Sequence, residues 1–288
     1  MTAREWFEKA QKEGFAIGAF NVDNLEIFKG IVTAAKNKNS PVMVEFSPGE
    51  AGYFGLKNLV DMVINAREEY KIPILLNLDH SKTPEDCRAA INQPGFDEVH
   101  FDGSHLDIEE NIKGAKEVVS AAHSKGIIVE GEMDKLGGSS EVHEEEVDES
   151  VLRQSYSDPK RAARFVEETG IDIFAAVFGN VHGTFPTQPD LDMALLTQIA
   201  GALPETFLSM HGGSGIPASQ VKEAIKVGKI VKVNINTELR IAYKDALVEK
   251  LGENPKEYKV YSFSPEIVLA VSAVVENKID VFGSDGKA

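Results

Sequence analysis

The sequence predicts an α/β fold, a (β/α)8 TIM barrel, as a single domain over residues 1–288 with an extra helix near each end. Three observations support this prediction. Eight short apolar runs alternate with eight amphipathic stretches. The runs are continuously apolar, as in parallel strands that are buried on both faces. No glycine-rich dinucleotide fingerprint follows the first run, which argues against the competing architecture, a doubly wound open sheet.

The predicted elements follow one another regularly along the chain. The strands are expected at residues 16–20, 42–46, 74–78, 98–101, 127–129, 173–177, 207–210 and 230–233. The helices are expected at residues 25–38, 56–70, 84–92, 108–124, 158–169, 192–202, 217–227 and 237–251. A further helix at 2–13 should cover the lower end of the barrel. Another at 264–277 should precede a tail at 282–287.

Composition and charge exclude several classes of protein. The 46 acidic and 30 basic side chains give a formal charge of −16, which disfavours non-specific binding to nucleic acid. No run approaches the roughly 18 apolar residues of a membrane span, and the polar N-terminal stretch is unlike a secretory signal. The single Cys87 excludes an internal disulfide and fits a reducing compartment. We therefore expect a cytoplasmic protein.

The barrel prediction indicates where function should lie. Active sites of this fold lie on the loops that follow the C-terminal ends of the strands. Polar residues of this sequence concentrate at those positions. In strand order they are Asn21, Ser47, Asp79 with His80, Asp102 with Ser104, Glu132, His182, His211 with Ser214, and Asn234 to Thr237.

Three of the seven histidines follow predicted strands. His80, His182 and His211 come after the third, sixth and seventh strands, and a closed barrel brings those strand ends to one mouth. Three histidines with an open coordination position are a common catalytic zinc arrangement. The remaining histidines are interpreted as structural or solvent-facing. They are His100, His105, His123 and His143.

Acidic residues near these histidines have two interpretations each. Asp79 directly precedes His80, so it can stand beside a metal without binding it, and it either moves a proton or caps the next helix. Glu130 and Glu132 lie on one face of the fifth strand. Glu132 and Asp102 form either a second metal position or a hydrogen-bonded pair at the rim.

Two loops suit a phosphate group. Residues 212–215 (GGSG) and 234–237 (NINT) follow the last two strands, where this fold commonly binds phosphate through backbone N–H groups and hydroxyls. The alternative is that they are only flexible turns. The acidic stretch 141–150 (EVHEEEVDES) is either a solvated loop or a mobile lid over the site.

Seven motifs, taken in order, carry a resemblance to a known family. They are Ala19-Phe20-Asn21, Leu78-Asp79-His80, Glu109-Glu110-Asn111-Ile112, Leu136-Gly137-Gly138, Gly179-Asn180-Val181-His182-Gly183, His211-Gly212-Gly213-Ser214-Gly215 and Phe282-Gly283-Ser284. With them the chain resembles, nearly end to end, the class II zinc-dependent ketose-bisphosphate aldolases, which include fructose- and tagatose-bisphosphate aldolases.

The resemblance implies a role for each group of residues. A zinc ion would be held by His80, His182 and His211, with Asp79 as the proton donor to the aldehyde oxygen. Asp102 and Glu132 would form an alternative metal position. Carbonyls near Val181, Gly183 and Gly212 would hold a monovalent cation such as Na⁺ or K⁺. Dihydroxyacetone phosphate would be bound by Gly183, Gly212, Gly213, Ser214, Asn234, Ile235, Asn236 and Thr237. Asn21 and Ser47, at the ends of the first two strands, are further candidate substrate-binding residues.

The implied activity is reversible cleavage of a ketose 1,6-bisphosphate, first of all fructose 1,6-bisphosphate, to dihydroxyacetone phosphate and an aldehyde such as glyceraldehyde 3-phosphate. No lysine stands at a predicted strand end, so no Schiff base is expected. The alternatives are cleavage of tagatose bisphosphate or a keto-sugar monophosphate, and a catalytically weak barrel that binds metal and phosphate. Metal-dependent hydrolysis would need a residue that activates water, and none is identified. A homodimer or homotetramer is expected.

The chain departs from the family pattern at two places. Relatives usually carry a glutamate within two residues of the Gly-Gly pair, and it is thought to be the base. Here Ser139 and Ser140 stand there, so Glu141 is the predicted base. Relatives often have an arginine after a proline in the last helix, which reaches the far phosphate. Here Pro265 is followed by Glu266, so a distal phosphate would need another partner.

Overall fold

The computed structural model describes residues 1–288 and contains ten strands. They are β1 (Ile17–Asn21), β2 (Val42–Phe46), β3 (Ile74–Ser81), β4 (Glu98–Asp102), β5 (Ile128–Glu132), β6 (Gly138–Val142), β7 (Ile173–Ala175), β8 (His182–Thr184), β9 (Phe207–Met210) and β10 (Ile230–Ile235). Eight of them close a parallel barrel in the order β1-β2-β3-β4-β5-β7-β9-β10, with β10 paired to β1. The remaining two, β6 and β8, form a parallel ribbon outside the barrel.

Helices surround the barrel. They are α1 (Ala3–Glu13), α2 (Leu25–Asn37), α3 (Pro48–Phe54), α4 (Leu56–Tyr70), α5 (Pro84–Ile91), α6 (Ile108–His123), α7 (Glu149–Leu152), α8 (Pro159–Thr169), α9 (Met193–Ala202), α10 (Ala218–Gly228), α11 (Thr237–Glu253) and α12 (Ser264–Phe282). None of these helices combines the length and the apolar character that crossing a membrane requires.

The predicted barrel is confirmed, and the open-sheet alternative is wrong because β10 closes onto β1. The eight expected strands and the eight expected helices all form, with most boundaries within two residues of the prediction. The last helix is longer than predicted, since Ile279 and Phe282 continue its buried face. It ends at Gly283, whose left-handed φ of 72° is a common helix C-terminus.

Helix α1 covers the lower end of the barrel, as the sequence predicted. Its first turn is fixed by a capping box between Thr2 and Glu5. Its apolar face buries Trp6 and Phe7, and the Phe7 ring lies 5.7 Å from that of Phe207 at the start of β9. The site must therefore open at the other end.

The C-terminal tail is fastened to the beginning of the barrel. Ser284 is fully buried, and its Oγ lies 2.9 Å from Oγ of Ser40, just before β2. The Gly286 N–H donates to the Lys38 carbonyl oxygen at 2.8 Å, and the Ala16 N–H donates to the Phe282 carbonyl oxygen at 3.0 Å. The last residues thus hold the connection that leads into β2.

Sequence reasoning missed three short elements: α3, α7 and the β6–β8 ribbon. Helix α3 has only seven residues, too few to show a helical period, but Ser47 and Glu50 form a capping box at its start. The last two residues of β6, 141 and 142, belong to the stretch that was interpreted as a solvated loop or a lid. Both α3 and the ribbon border the mouth of the barrel.

Glycine at position 30 allows α2 to approach α12, and we expect Gly30→Ala to destabilise the protein. A Cβ at Gly30 would lie 2.6 Å from Cγ1 of Val271 and 3.1 Å from the Val268 carbonyl oxygen. Alanine is about 1 kcal/mol better than glycine inside a helix, but overpacking outweighs this and should leave a net loss of about 1–2 kcal/mol. Unfolding in urea measures this change in the free energy of unfolding. Gly201→Ala in α9, where nothing lies within 4 Å, should be neutral or stabilising. Equal effects at both positions would contradict the steric argument.

Candidate active site

The C-terminal ends of the strands open into a cavity of about 170 Å³ whose lining contains no hydrophobic residue. Such a lining suits a small polar ligand. Most of the lining residues were predicted from the sequence: Asn21, Ser47, Asp79, His80, His182, His211, Gly212, Asn234 and Asn236. The other three are Glu50, Ser140 and Arg240.

His80 adopts an unusual backbone conformation at the end of β3. Its φ is 49°, in the left-handed region that non-glycine residues seldom occupy. The register between β3 and β4 shifts between Leu78 and Ser81, so the chain bends at this point. Strain of this kind is usually found at functional sites, where surrounding structure maintains it.

Three histidine rings meet in the wall of the cavity. The centroid of the His80 ring lies 4.7 Å from that of His211 and 5.0 Å from that of His182. His182 and His211 are 6.2 Å apart. Nε2 of His80 faces Nδ1 of His211 at 3.1 Å. The structure thus brings together the three histidines that the sequence indicated.

Carboxylates orient two of these rings from behind. Nδ1 of His80 lies 3.0 Å from Oδ2 of Asp102, and Nε2 of His211 lies 3.1 Å from Oε1 of Glu130. A carboxylate on one ring nitrogen fixes the tautomer and leaves the other nitrogen available as an acceptor. The two available nitrogens are those that face each other across 3.1 Å.

A fully buried lysine lies under the site, inside the barrel. The Lys232 ammonium contacts Glu45 at 2.9 Å, Glu98 at 2.6 Å and Glu130 at 2.6 Å. Burial alone would lower the pKa of Lys232, but the three carboxylates raise it well above its usual value. The charged lysine and His100 in turn hold the pKa of Glu130 well below its usual value despite burial. Glu130 is therefore an ionised partner for His211.

His100 is a site residue that the sequence analysis left as structural. Its Nδ1 lies 3.3 Å from Oδ1 of Asp79, and its Nε2 lies 3.4 Å from Oε2 of Glu132. Burial opposes its charge, yet Glu130, Asp79 and Glu132 raise the pKa of His100 well above its usual value. Strand alternation could have revealed it, because His100 shares a face of β4 with Asp102.

Asp79 lies beside the histidines and is almost completely buried. Burial alone would raise its pKa, but the charge of His80, the hydrogen bond with His100 and the charge of His211 hold it well below the usual range. Asn21 Nδ2 donates to Oδ2 of Asp79 at 3.2 Å. Asp79 does not cap the next helix, since Thr83 does so. Of its two interpretations, helix capping is therefore wrong.

His182 carries a different electrostatic signature from its neighbours. Burial, together with the charges of His80 and His211, holds the pKa of His182 well below its usual value. A neutral imidazole is the form that binds metal ions. His182 opens strand β8 of the ribbon, so it approaches the cavity from the outside of the barrel.

Asp102 and Glu132 lie together next to His80, as predicted for a second acidic position. Nδ1 of His80 is 3.0 Å from Asp102 and 3.5 Å from Glu132. Asp102 also accepts hydrogen bonds from Lys82 and from Oγ of Ser104. Burial raises its pKa, but the hydrogen bond with His80 and the charge of His100 outweigh this and lower it.

The donor set fits a divalent metal ion. One ligand atom from each of Asp79, His80, His100 and His211 lies within 4.8 Å of the others, and His80, Asp102 and Glu132 form a second such group. His182 belongs to neither group at that spacing. Oε2 of Glu132 and Nε2 of His100 are buried and face each other at 3.4 Å without a well-formed hydrogen bond. Incompletely satisfied carboxylate and imidazole atoms of this kind are donors that a divalent metal ion accepts.

Glycines allow the two loops and the ribbon to pack closely. Gly212 has φ 65°, and a Cβ there would lie 2.1 Å from the Val181 carbonyl oxygen. Gly183 has φ 94°, and a Cβ there would lie 2.4 Å from the Ser139 carbonyl oxygen. No side chain larger than hydrogen fits at either position.

The predicted phosphate loops expose some donors and use others internally. The backbone N–H groups of Gly212, Ser214 and Asn236 donate to no other group of the protein, whereas that of Gly213 donates to the Asn234 carbonyl oxygen. Thr237 begins α11, so a helix N-terminus lies behind these amides. Ile235 is buried in the core, so it can offer a ligand only its backbone. The loops therefore have free amides where an anion would be stabilised.

Glu141, the predicted base, lies on the ribbon rather than in the cavity wall. Its side chain is exposed and accepts a hydrogen bond from Oγ of Ser139 at 3.1 Å. Ser140, its neighbour, lines the cavity instead. Successive residues of a strand face opposite sides, so β6 would have to turn to bring the Glu141 carboxylate inwards.

Three residues that the sequence did not indicate form a charged cluster at the mouth. Arg240, in the first turn of α11, donates to both carboxylate oxygens of Asp23 at 2.7 and 2.8 Å and to Oε1 of Glu50 at 2.8 Å. Glu50 also accepts from the Ser47 N–H at 2.6 Å. We call Asp23, Glu50 and Arg240 the Arg240 cluster.

Glu50 should make stability fall as the pH rises. Burial and a hydrogen bond to Asp23 raise the pKa of Glu50 from 4.5 to about 8. The folded state thus favours the protonated form, so this contribution is complete below pH 4.5 and is lost as the pH approaches 8. We expect Glu50→Gln to reduce the drop in melting temperature between pH 6 and pH 9. Exposed Glu266→Gln is the control, and a drop equal to that of the wild type in Glu50→Gln would contradict the assignment.

Comparisons with known proteins find relatives that match along nearly the whole chain. The family model described as fructose-bisphosphate aldolase class-II matches residues 1–287. A fructose-bisphosphate aldolase of Streptococcus pneumoniae is 39% identical over all of this chain and 99% of its own. One of Geobacillus stearothermophilus is 38% identical over all of this chain and 98% of its own. The crystal structure of the YdjI aldolase from Escherichia coli has a TM-score of 0.84 at 33% identity, over 99% of this chain and 98% of its own.

Proposed function

The chain belongs to the class II fructose-bisphosphate aldolase family, whose members are metal-dependent lyases, and we propose that it reversibly cleaves a ketose phosphate to dihydroxyacetone phosphate and an aldehyde. The observation that carries this proposal is the pair of facing nitrogens of His80 and His211 beside buried Asp79. Free backbone amides at Ser214 and Asn236 provide a place for the phosphate.

The proposed metal is zinc, held by His80, His182 and His211, with Asp102 and Glu132 as a second position. The carboxylates behind His80 and His211 support this assignment, because they leave one acceptor nitrogen on each ring. The low pKa of His182 supports it as a neutral ligand. When bound, such an ion supplies Lewis-acid stabilisation of the negative charge that develops as the carbon–carbon bond breaks.

Asp79 is the proposed proton carrier. In cleavage, the hydroxyl next to the breaking bond must lose its proton, and an ionised Asp79 can accept it. In the reverse direction the same carboxyl returns the proton to the aldehyde oxygen. The low pKa of Asp79 keeps it ionised for cleavage, and Asn21 and His100 hold its two oxygens in place.

The phosphate of dihydroxyacetone phosphate would lie against the loops after β9 and β10. Ser214, Asn236 and Gly212 offer N–H groups, and the N-terminus of α11 adds the positive end of a helix dipole. We also propose a monovalent cation, Na⁺ or K⁺, at the carbonyls near Val181, Gly183 and Gly212. The close approach of Gly212 to the Val181 carbonyl oxygen supports it.

Fructose 1,6-bisphosphate is the first substrate to test, because relatives carry that name, and tagatose 1,6-bisphosphate is next. A keto-sugar monophosphate is favoured by one observation, the absence of a free cation in the cavity lining.

The proposal also includes a cytoplasmic location and a homodimer or homotetramer. Exposed Tyr258, Val260 and Tyr261 support a surface that a second copy could cover.

Removal of the metal should abolish cleavage. We expect about one zinc per chain. Dihydroxyacetone phosphate formation should be lost in the presence of a chelator and restored by added zinc.

Asp79→Ala should retain the zinc but lower kcat by at least about 10²-fold, as a lost general acid–base group does. Metal content and a coupled assay measure both effects. Retained cleavage in Asp79→Ala would count against the assigned proton carrier. No product from any ketose phosphate would favour a barrel that only binds metal and phosphate.

Glu141 is the proposed base that exchanges the carbon-bound proton of dihydroxyacetone phosphate. Glu141→Gln should slow this exchange by at least about 10²-fold while zinc stays bound. The matched control is Glu144→Gln, an exposed acid in the same stretch. Proton exchange into deuterated water, followed by NMR, measures the rates. An unchanged rate in Glu141→Gln would exclude this residue as the base.

A further inference from the structure

The Arg240 cluster joins three elements that are distant in sequence. Asp23 follows β1, Glu50 lies in α3 after β2, and Arg240 lies in the first turn of α11 after β10. Glu50 and Arg240 line the cavity. Glu50 is 8% exposed, so this is a built part of the wall and not a loose surface ion pair.

The cluster lies on the side of the cavity where the aldehyde half would form. One amide group, Nδ2 of Asn21, donates both to Oδ2 of Asp79 at 3.2 Å and to Oε2 of Glu50 at 3.4 Å. Asp79 is the proposed proton carrier for the aldehyde oxygen. Glu50 is therefore one side chain away from the group that acts on that half of the substrate.

The guanidinium of Arg240 has almost no donor left for a ligand. Nε and one terminal nitrogen bind Asp23, the same terminal nitrogen also binds Glu50, and the other donates to the Ser140 carbonyl oxygen at 3.3 Å. A planar guanidinium has five N–H donors, and four of them are used by these contacts. Capturing a phosphate would require Arg240 to release a carboxylate.

The charge balance in the lining also gives a second phosphate no net attraction. Arg240 is the only lysine or arginine among the lining residues. Its charge is matched by Asp23, whose pKa is lowered because hydrogen bonds from Arg240 and Glu50 outweigh its burial. A phosphate dianion at this place would meet two carboxyl groups and no free cation, an arrangement that rejects a ligand. Hydroxyl groups, by contrast, would find acceptors.

We propose that the Arg240 cluster determines specificity at the distal end of the substrate and selects a ketose 1-phosphate whose distal end carries hydroxyls and no phosphate. This inference rests on the proposed aldolase function and adds the substrate class to it. The simplest such substrate is fructose 1-phosphate, which would give dihydroxyacetone phosphate and glyceraldehyde. Asp23 and Glu50 are specificity residues, because they occupy the guanidinium and offer acceptors to hydroxyls.

The test compares kcat/KM for fructose 1-phosphate and fructose 1,6-bisphosphate, with zinc-loaded protein. We expect the wild type to prefer the monophosphate by at least about tenfold. The double variant Asp23→Asn, Glu50→Gln removes the charge that matches Arg240 and both acidic groups of the cluster, so its preference should shift towards the bisphosphate by at least about tenfold. Glu8→Gln, at an exposed position of α1 at the opposite end of the barrel, should show the wild-type ratio.

Each other outcome has a defined meaning. A wild type that prefers the bisphosphate, or a double variant with an unchanged ratio, would overturn the inference and leave the proposed aldolase function intact. Formation of no dihydroxyacetone phosphate from either substrate or from tagatose 1,6-bisphosphate would overturn both. If the double variant does not fold, Glu50→Gln alone, which keeps the side-chain shape, should shift the ratio in the same direction by a smaller factor. No shift there would also contradict the inference.

Discussion

The buried contact between Lys232 and its three glutamates holds together the strands whose ends carry the active-site residues. A lysine without solvent is costly unless its charge is matched and its N–H groups are satisfied. Here Glu45, Glu98 and Glu130 come from three different strands and converge on β10. Burial raises the pKa of Glu98 well above its usual value and, with the charge of Asp79, raises that of Glu45, which reduces the excess negative charge. One ammonium thus connects four strands below the site.

Single hydrogen bonds connect this lysine with the residues of the active site. Glu130, which contacts Lys232, also contacts Nε2 of His211. Glu45 accepts from Asn234 and from Asn77, each at 2.8 Å, which orients a residue next to the phosphate loop. The same layer therefore positions a metal ligand and a phosphate-binding strand end. This explains why a barrel interior, which is normally filled by apolar side chains, is polar here.

The sequence was sufficient for the barrel and for the residues at strand ends. Continuous apolar runs identify buried parallel strands wherever they occur, and a barrel brings their ends together whatever lies between. The sequence did not identify His100 as a site residue, because a lone histidine within a strand is usually a core residue. Its contacts with the site come from other strands, β3 and β5. The sequence did not predict the Arg240 cluster either. Asp23 and Glu50 are 27 residues apart along the chain, and Glu50 and Arg240 are 190 residues apart. Such pairs have no local signal.

The fastening of the tail has a consequence for biosynthesis. Strand β1 leaves the ribosome first, yet its partner β10 and the residues that hold Ser40 come from the last fifth of the chain. Until β10 has been made, β1 has an unpaired edge, the kind that recruits other strands. Long-range closure of this type is slow and exposes intermediates to aggregation. The nascent chain should therefore be open to aggregation until β10 closes the barrel, and the contact of Ser284 with Ser40 adds a late fastening of the connection before β2.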